Sequence, residues 1–196
     1  KTTIVTYENS NIDIVQNNKV YNISDIRIRS IEGSKEINSI YFNDSKAYLS
    51  CGFGIVVLDL KRKEIYDTYY VGENSSKIEV NAVTINDTSI FAATVNGLLY
   101  APKNSTALAA SQTWKKVQNI ANQGKDNLEI TNLLSLGNGK LLITLPIAQT
   151  TFCDAFTFNG EEWNKIFENE YIKSLRLSEG KLIKIAYRSL NIYDVN

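Results

Sequence analysis

Three observations in the 196-residue sequence predict an all-β protein, a β-propeller of small four-stranded antiparallel blades. A long stretch of the chain repeats without a gap. Each copy carries the two-residue periodicity of half-buried strands, and polar turns punctuate the copies at even intervals. A helical solenoid is excluded by the lack of 3.6-residue periodicity, and a sandwich by the near-register repetition.

The repeat is plainest where INSIYFNDSKAYLSCGFGIVVLD, from Ile37, aligns with VNAVTINDTSIFAATVNGLLYAP, from Val80. Asn38 falls on Asn81, Ile40 on Val83, Phe42 on Ile85 and Gly54 on Gly97. Five copies follow, about 1–36, 37–79, 80–130, 131–171 and 172–196. The first opens within a blade: Asn11-Ile12 stands where the second copy has Gly54-Ile55, and Lys19–Ile23 takes the outer-strand position. Asn can replace the turn glycine because it tolerates the left-handed region. In the second copy, Ile37, Ile40 and Phe42 suit a strand with one buried face. Asn43-Asp44 then turns the chain, and Ala47–Cys51 is small or apolar, as a strand covered on both sides demands. After Gly54 come the third strand, Ile55–Leu60, and the outer strand, Ile65–Val71.

The third copy repeats this order with Asn86-Asp87, Gly97 and Leu98–Ala101. Its Ala-rich insertion Ser105–Gln112 is the one candidate helix, and Ala121–Asn127 reads as a polar loop. The fourth copy turns at Gly137-Asn138-Gly139. Its outer strand Trp163–Ile166 shares the pattern W-x-K-[VI] with Trp114–Val117 of the third, and follows an Asn159-Gly160 hairpin turn. The fifth turns at Ser178-Glu179-Gly180 and runs through a third strand only. Three, four, four, four and three strands give 18, about four and a half blades in one domain spanning 1–196. The expectation is therefore a fragment of a larger propeller, with a ring of five thin blades as the alternative. Open edges and interblade faces would favour a homodimer.

Composition removes whole classes of chemistry. Lys+Arg and Asp+Glu are both 21 and no basic stripe exists, which speaks against nucleic acid and anionic membrane surfaces. With no His, imidazole-based triads and His-ligated zinc are excluded, and two Cys cannot build a zinc site. Cys51 and Cys153 stand in different repeats and read as free thiols. No calcium loop, phosphate loop or nucleophile elbow occurs, and no cofactor is implied. No apolar run has transmembrane length. The absence of Met and of a signal peptide reads as a mature or excised segment. Five Asn-X-Ser/Thr triplets, at Asn22, Asn43, Asn74, Asn86 and Asn104, fit a general wealth of Asn rather than glycosylation.

The remaining candidates are contact residues. Glu161-Glu162 lies just past a hairpin turn, where solvated carboxylates are usual. Tyr66, Tyr69 and Tyr70 could stack a sugar, although alternating Tyr on an outer strand more commonly packs against its neighbours. Propellers normally bind at one rim, where the loops between second and third strands and between fourth and first strands converge around the central channel. Phe53, Asn96, Tyr187 and Arg188 lie at the second-to-third turns and are the predicted binding residues.

Residues 48–83, with G-F-G-I-V-V-L-D-L (Gly52–Leu60) and D-T-Y-Y-V-G-E (Asp67–Glu73), resemble a known family, as do the opening S-N-I-D-I-V and N-K-V-Y-N-I. The chain is similar to the N-terminal β-propeller of the PorZ-type proteins of Bacteroidetes type IX secretion. The resemblance implies a non-enzymatic protein of the outer-membrane surface or periplasm, within machinery that attaches secreted cargo. It also implies a sortase-like protein partner and lipopolysaccharide as ligand. Related propellers form periplasmic sensor regions of hybrid two-component regulators, so a glycan-sensing propeller is the alternative reading.

Overall fold

The computed structural model describes residues 1–195. Among them are 18 strands in five antiparallel sheets, blades of the β-propeller type, with the strand numbers expected from the repeat. The first sheet is β1 (Thr2–Thr6), β2 (Ile12–Gln16) and β3 (Lys19–Ile23). The second is β4 (Ile37–Asn43), β5 (Lys46–Cys51), β6 (Gly54–Asp59) and β7 (Glu64–Tyr69), in that order. The third joins β8 (Val80–Ile85), β9 (Ser89–Thr94), β10 (Gly97–Pro102) and the two-residue β11 (Lys115–Lys116). β12 (Asn132–Gly137), β13 (Lys140–Pro146), β14 (Cys153–Phe158) and β15 (Trp163–Glu170) form the fourth. β16 (Ser174–Ser178), β17 (Lys181–Ile185) and β18 (Leu190–Asp194) form the fifth.

The chain divides into two compact units, one of Lys1–Val83 with Ser105–Trp114, the other of Thr84–Asn104 with Lys115–Asn196. In the first unit the core lies between the first two sheets. Ile12, Ile14 and Ile23 meet Ala47, Leu49, Cys51, Val56 and Leu58, all buried. Asn38, the repeated Asn of the alignment, donates from Nδ2 to the Val80 carbonyl at 2.9 Å and so ties two successive copies together. In the second unit Leu142, Leu175 and Leu182 are buried between the fourth and fifth sheets, with Phe167 and Tyr193 packed on them. Ser135 N–H donates to the buried Thr84 hydroxyl at 3.1 Å. Each buried Ile, Leu or Val among these contributes roughly 1.5–3 kcal/mol.

The turn glycines have a steric cause. Gly54 and Gly97 sit at φ +143° and +120°, where a Cβ would collide with the carbonyl oxygens of Tyr69 and Asp126 respectively. Asn11 does not repeat that conformation: the positive φ belongs to Ser10, at 63°, and the turn closes through Tyr7 and Asn11 backbone groups. Asp44, Asn138 and Glu179 take positive φ in the first-to-second-strand turns, as their composition suggested. Asn86-Asp87 instead forms an Asx-type turn, with Asn86 Oδ1 accepting from the N–H groups of Thr88 and Ser89 at 3.0 and 2.8 Å.

Other local expectations change as well. Ser105–Gln112 is not an α-helix: it runs through turns into a short 3₁₀ segment, Ser111–Thr113. The insertion is anchored by Ser75 N–H on Ser111 Oγ at 3.0 Å and by Trp114 Nε1–H on the Leu108 carbonyl at 2.8 Å. The helix that does form, α1 (Asp25–Ile28), lies between the first two sheets in sequence and buries Ile26. Four residues lack the length for a periodic signal. Both cysteines are free and buried; burial pushes the Cys51 thiol up to about 12.

Candidate functional site on the blade turns

The turn between second and third strands is where each blade offers side chains least constrained by its own ladder. The structure places all four predicted residues at such turns and gives them different environments. Phe53, between β5 and β6, is 1% exposed. Its ring sits 6.4 Å from that of Tyr70, in a narrow cleft shared with Ile26 and Arg29 of the α1 region. It is a packing group of the second blade rather than an exposed contact. The sequence hint was the connection after the first sheet, where Ile26, Ile28 and Ile31 stand among polar residues.

Asn96, between β9 and β10, is exposed. The turn beneath it is fixed by Thr94, whose buried hydroxyl donates to the Gly97 carbonyl at 2.8 Å and accepts from Asn96 N–H at 3.1 Å. The Asn96 side chain is thus carried on a rigid base.

Tyr187 and Arg188 stand together between β17 and β18, on a turn closed by Ala186 N–H to the Ser189 carbonyl at 2.9 Å. Tyr187 is 75% exposed, the most exposed large hydrophobic side chain among the described residues. Tyr171 meets it edge to face at 6.0 Å and 89°, and the Arg188 guanidinium lies 5.3 Å from its ring centre. Two aromatic rings and a cation held together present an apolar face, a donor fork and hydroxyls to solvent. Tyr and Arg are the residue types that dominate binding at protein surfaces, and such faces also stack on sugars.

Two further aromatics occupy equivalent turns and escaped the sequence reading. Tyr7, in the first blade, donates to Asp13 Oδ2 at 2.7 Å; that bond raises the Tyr7 pKa and, with the Asn22 amide, lowers that of Asp13. Phe152, in the fourth blade, is exposed on a turn closed by Ile147 N–H to its own carbonyl at 2.9 Å. The signal was an aromatic within each turn, hidden because the turns differ in length and the alignment does not reach them.

The Tyr66, Tyr69 and Tyr70 triplet forms no common platform. Tyr69 is buried beside Trp114 at 6.3 Å, Tyr70 packs on Phe53, and exposed Tyr66 is covered by the Lys46 amine at 3.7 Å. Glu161 and Glu162 are exposed, their N–H groups both bonded to Asn159 Oδ1 at 2.9 Å. No group of three or more His, Cys, Asp or Glu that could hold a metal occurs among the described residues. No helix among them is long and apolar enough to cross a membrane.

Comparison with known proteins agrees with this architecture. The chain's fold is shared, at a TM-score of 0.70 and 17% identity, with PorZ, described as an essential bacterial surface component of the type-IX secretion system of Porphyromonas gingivalis. The likeness covers 99% of this chain and 26% of that one. Extracellular domains of two putative hybrid two component systems of B. thetaiotaomicron also match. One has a TM-score of 0.61 and 14% identity over 98% of this chain and 24% of its own; the other has 0.59 and 11%, over 100% and 28%. The chain thus spans about a quarter of the length of these three structures. No curated protein matches the sequence. The family described as "TSS9, PorZ, N-terminal beta-propeller domain" matches residues 1–115, more than half of the sequence. The chain therefore belongs to the PorZ N-terminal β-propeller domain family of the type IX secretion system.

Proposed function

We propose that this chain is a non-enzymatic, extracytoplasmic interaction module of the PorZ kind, which engages a protein partner through the turns between second and third strands. The carrying observation is the Tyr187–Arg188–Tyr171 assembly on a closed turn of the fifth blade. Membership of the PorZ propeller family supports the setting, at the outer-membrane surface or in the periplasm. By resemblance the partner is the sortase-like protein of the secretion machinery, and lipopolysaccharide is a second ligand whose sugars suit the same aromatic face. Asn96 and Phe152 extend the surface along neighbouring turns. The likeness to two component extracellular domains favours one other reading, a propeller that senses glycan fragments.

The test is equilibrium binding to the purified sortase-like protein, to purified lipopolysaccharide and to glycan oligosaccharides. Tyr187→Ala and Arg188→Glu should each weaken partner binding by about tenfold or more, as loss of an interface anchor does, with unchanged melting temperatures. Binding to oligosaccharides alone supports the sensor reading. Full affinity in both variants overturns the site.

A further inference from the structure

Three Asn-Gly dipeptides stand in the sequence, Asn96-Gly97, Asn138-Gly139 and Asn159-Gly160, and all three asparagines are exposed. An asparagine before a glycine carries chemistry of its own. With no Cβ in the way, the glycine nitrogen can reach the asparagine Cγ. Once solvent base has taken its proton, that nitrogen attacks. The N–Cγ bond forms, the Cγ–Nδ2 bond breaks, and the amide nitrogen takes a proton from water and leaves as ammonia. Water then opens the five-membered succinimide at either carbonyl. One opening gives Asp; the other gives isoaspartate, in which the chain runs through the side-chain carbon. The reaction needs nitrogen and Cγ within attack distance, so a turn that holds the dipeptide in another geometry suppresses it.

The three dipeptides are restrained very differently. At Asn96 the buried Thr94 hydroxyl accepts from the Asn96 N–H at 3.1 Å and donates to the Gly97 carbonyl at 2.8 Å. One group thus clamps the dipeptide at both ends. Gly97 is also buried, with the Asp126 carbonyl where a Cβ would stand. Asn159 is held through its own side chain, whose Oδ1 accepts from the Glu161 and Glu162 N–H groups at 2.9 Å each. Swinging its Cγ onto Gly160 breaks both bonds.

Asn138 has neither restraint. It lies in the turn from β12 to β13, which closes where Gly137 pairs with Lys140, beside a register shift between Ser135 and Gly137. Its side chain makes no hydrogen bond among the described residues. Glycines flank it on both sides, and neither has an atom within 4 Å of where a Cβ would stand. The backbone there is free to rotate and nothing holds the amide away from the Gly139 nitrogen.

We propose that Asn138 is a self-modification site, converting through the succinimide to Asp and isoaspartate while Asn96 and Asn159 persist. The change puts a carboxylate on the β12–β13 turn where the chain carries a neutral amide. The Thr94 clamp keeps the amide of Asn96, a residue of the candidate contact surface. The site rests on turn geometry and does not depend on the binding function proposed above.

The test holds the intact chain in mildly alkaline buffer, digests samples under acid conditions and follows the three dipeptides by mass spectrometry, resolving Asp from isoaspartate. Asn138 should react at least about tenfold faster than Asn96 or Asn159, the factor that a net hydrogen bond or two supplies, and give both products. Hydroxylamine, which attacks the imide, should cut the folded chain after Asn138 first. In guanidinium, where the turns are lost, the three rates should come together. Equal rates in the folded chain overturn the proposal, as does Asp without isoaspartate at Asn138. So does a spread of rates that survives unfolding, because the neighbouring sequence rather than the turn would then set it.

Discussion

The third strands of the second and fifth blades are the same element of one repeat, yet they live in opposite environments. Ile55 and Val57 of β6 are each 0% exposed, whereas their counterparts on β18, Leu190 and Ile192, are 61% and 57% exposed. Local geometry does not separate them: both strands are paired in antiparallel register to a second strand. What differs is the neighbourhood. β6 also pairs with β7 on its outer side, and its other face sends Val56 and Leu58 into the core shared with the first sheet. Burial in this fold is conferred by the next strand and the next blade, and an apolar side chain only makes it available.

Four measurements can break that comparison or sharpen it. The largest effect is expected from Ile55→Ala, which removes buried volume that the packed blade cannot close and should cost about 3–4 kcal/mol by urea unfolding. The matched change Leu190→Ala should stay within about 0.5 kcal/mol. Similar costs at both sites would mean that β18 is covered in solution.

Next comes Gly54→Ala. The collision with the Tyr69 carbonyl and the φ of +143° predict a loss of more than about 2 kcal/mol. Ser189→Ala at the repeat-equivalent position should leave the melting temperature within about 2 °C.

A smaller effect tests the one lysine buried in the fifth blade. Lys184 is paired with Glu170 and lies 4.2 Å from the centre of the Phe167 ring. Burial opposes its charge, but the bonds to Glu170 and Tyr193 and the Glu170 charge outweigh it and raise its pKa. A raised lysine stabilises fully below its unfolded value, and the contribution disappears as pH climbs through the folded one. Lys184→Met should therefore lower stability by about 1 kcal/mol at pH 7, limited because Glu170 can rehydrate. The gap to the native protein should close only on the alkaline side of the ordinary lysine range.

The smallest effect is expected at Asp154 in the fourth blade. Its partial burial opposes ionisation, but Lys165 at 2.9 Å and the Asn169 N–H outweigh that and hold its pKa below the usual value. Its contribution is present above the unfolded carboxylate pKa and lost as pH falls through the folded one. Asp154→Asn should flatten the acid limb of the melting curve slightly, and an unchanged limb would show that the pair is fully screened.

Particular residues mark how far the sequence carries. The 18 strands were legible because each carries an alternation or an inner-strand run, with a turn residue of known habit at its end. Gly54 and Gly97 were legible for the same reason, since a turn that admits no Cβ leaves glycine in the sequence. Asn11 was not, because a turn of different length passed the left-handed conformation to Ser10. Ser105–Gln112 has helical composition and no helix, because Ser75 and the Trp114 indole hold it in another shape. At the candidate site, the turn positions of all four residues follow from the repeat, but that Asn96, Tyr187 and Arg188 are exposed and Phe53 is buried does not.

By itself, then, the sequence determined the repeat, the blade as its unit, the strand order within each blade and the chemistries that lack their residues. These follow from periodicity and composition, which are local properties. Only the tertiary structure decided which side chains at equivalent positions meet water. Ile26 and Tyr70 pack with Phe53, and two aromatic rings and a guanidinium gather at Tyr187. Those outcomes depend on residues far apart in the chain, and no alternation of apolar and polar residues records them.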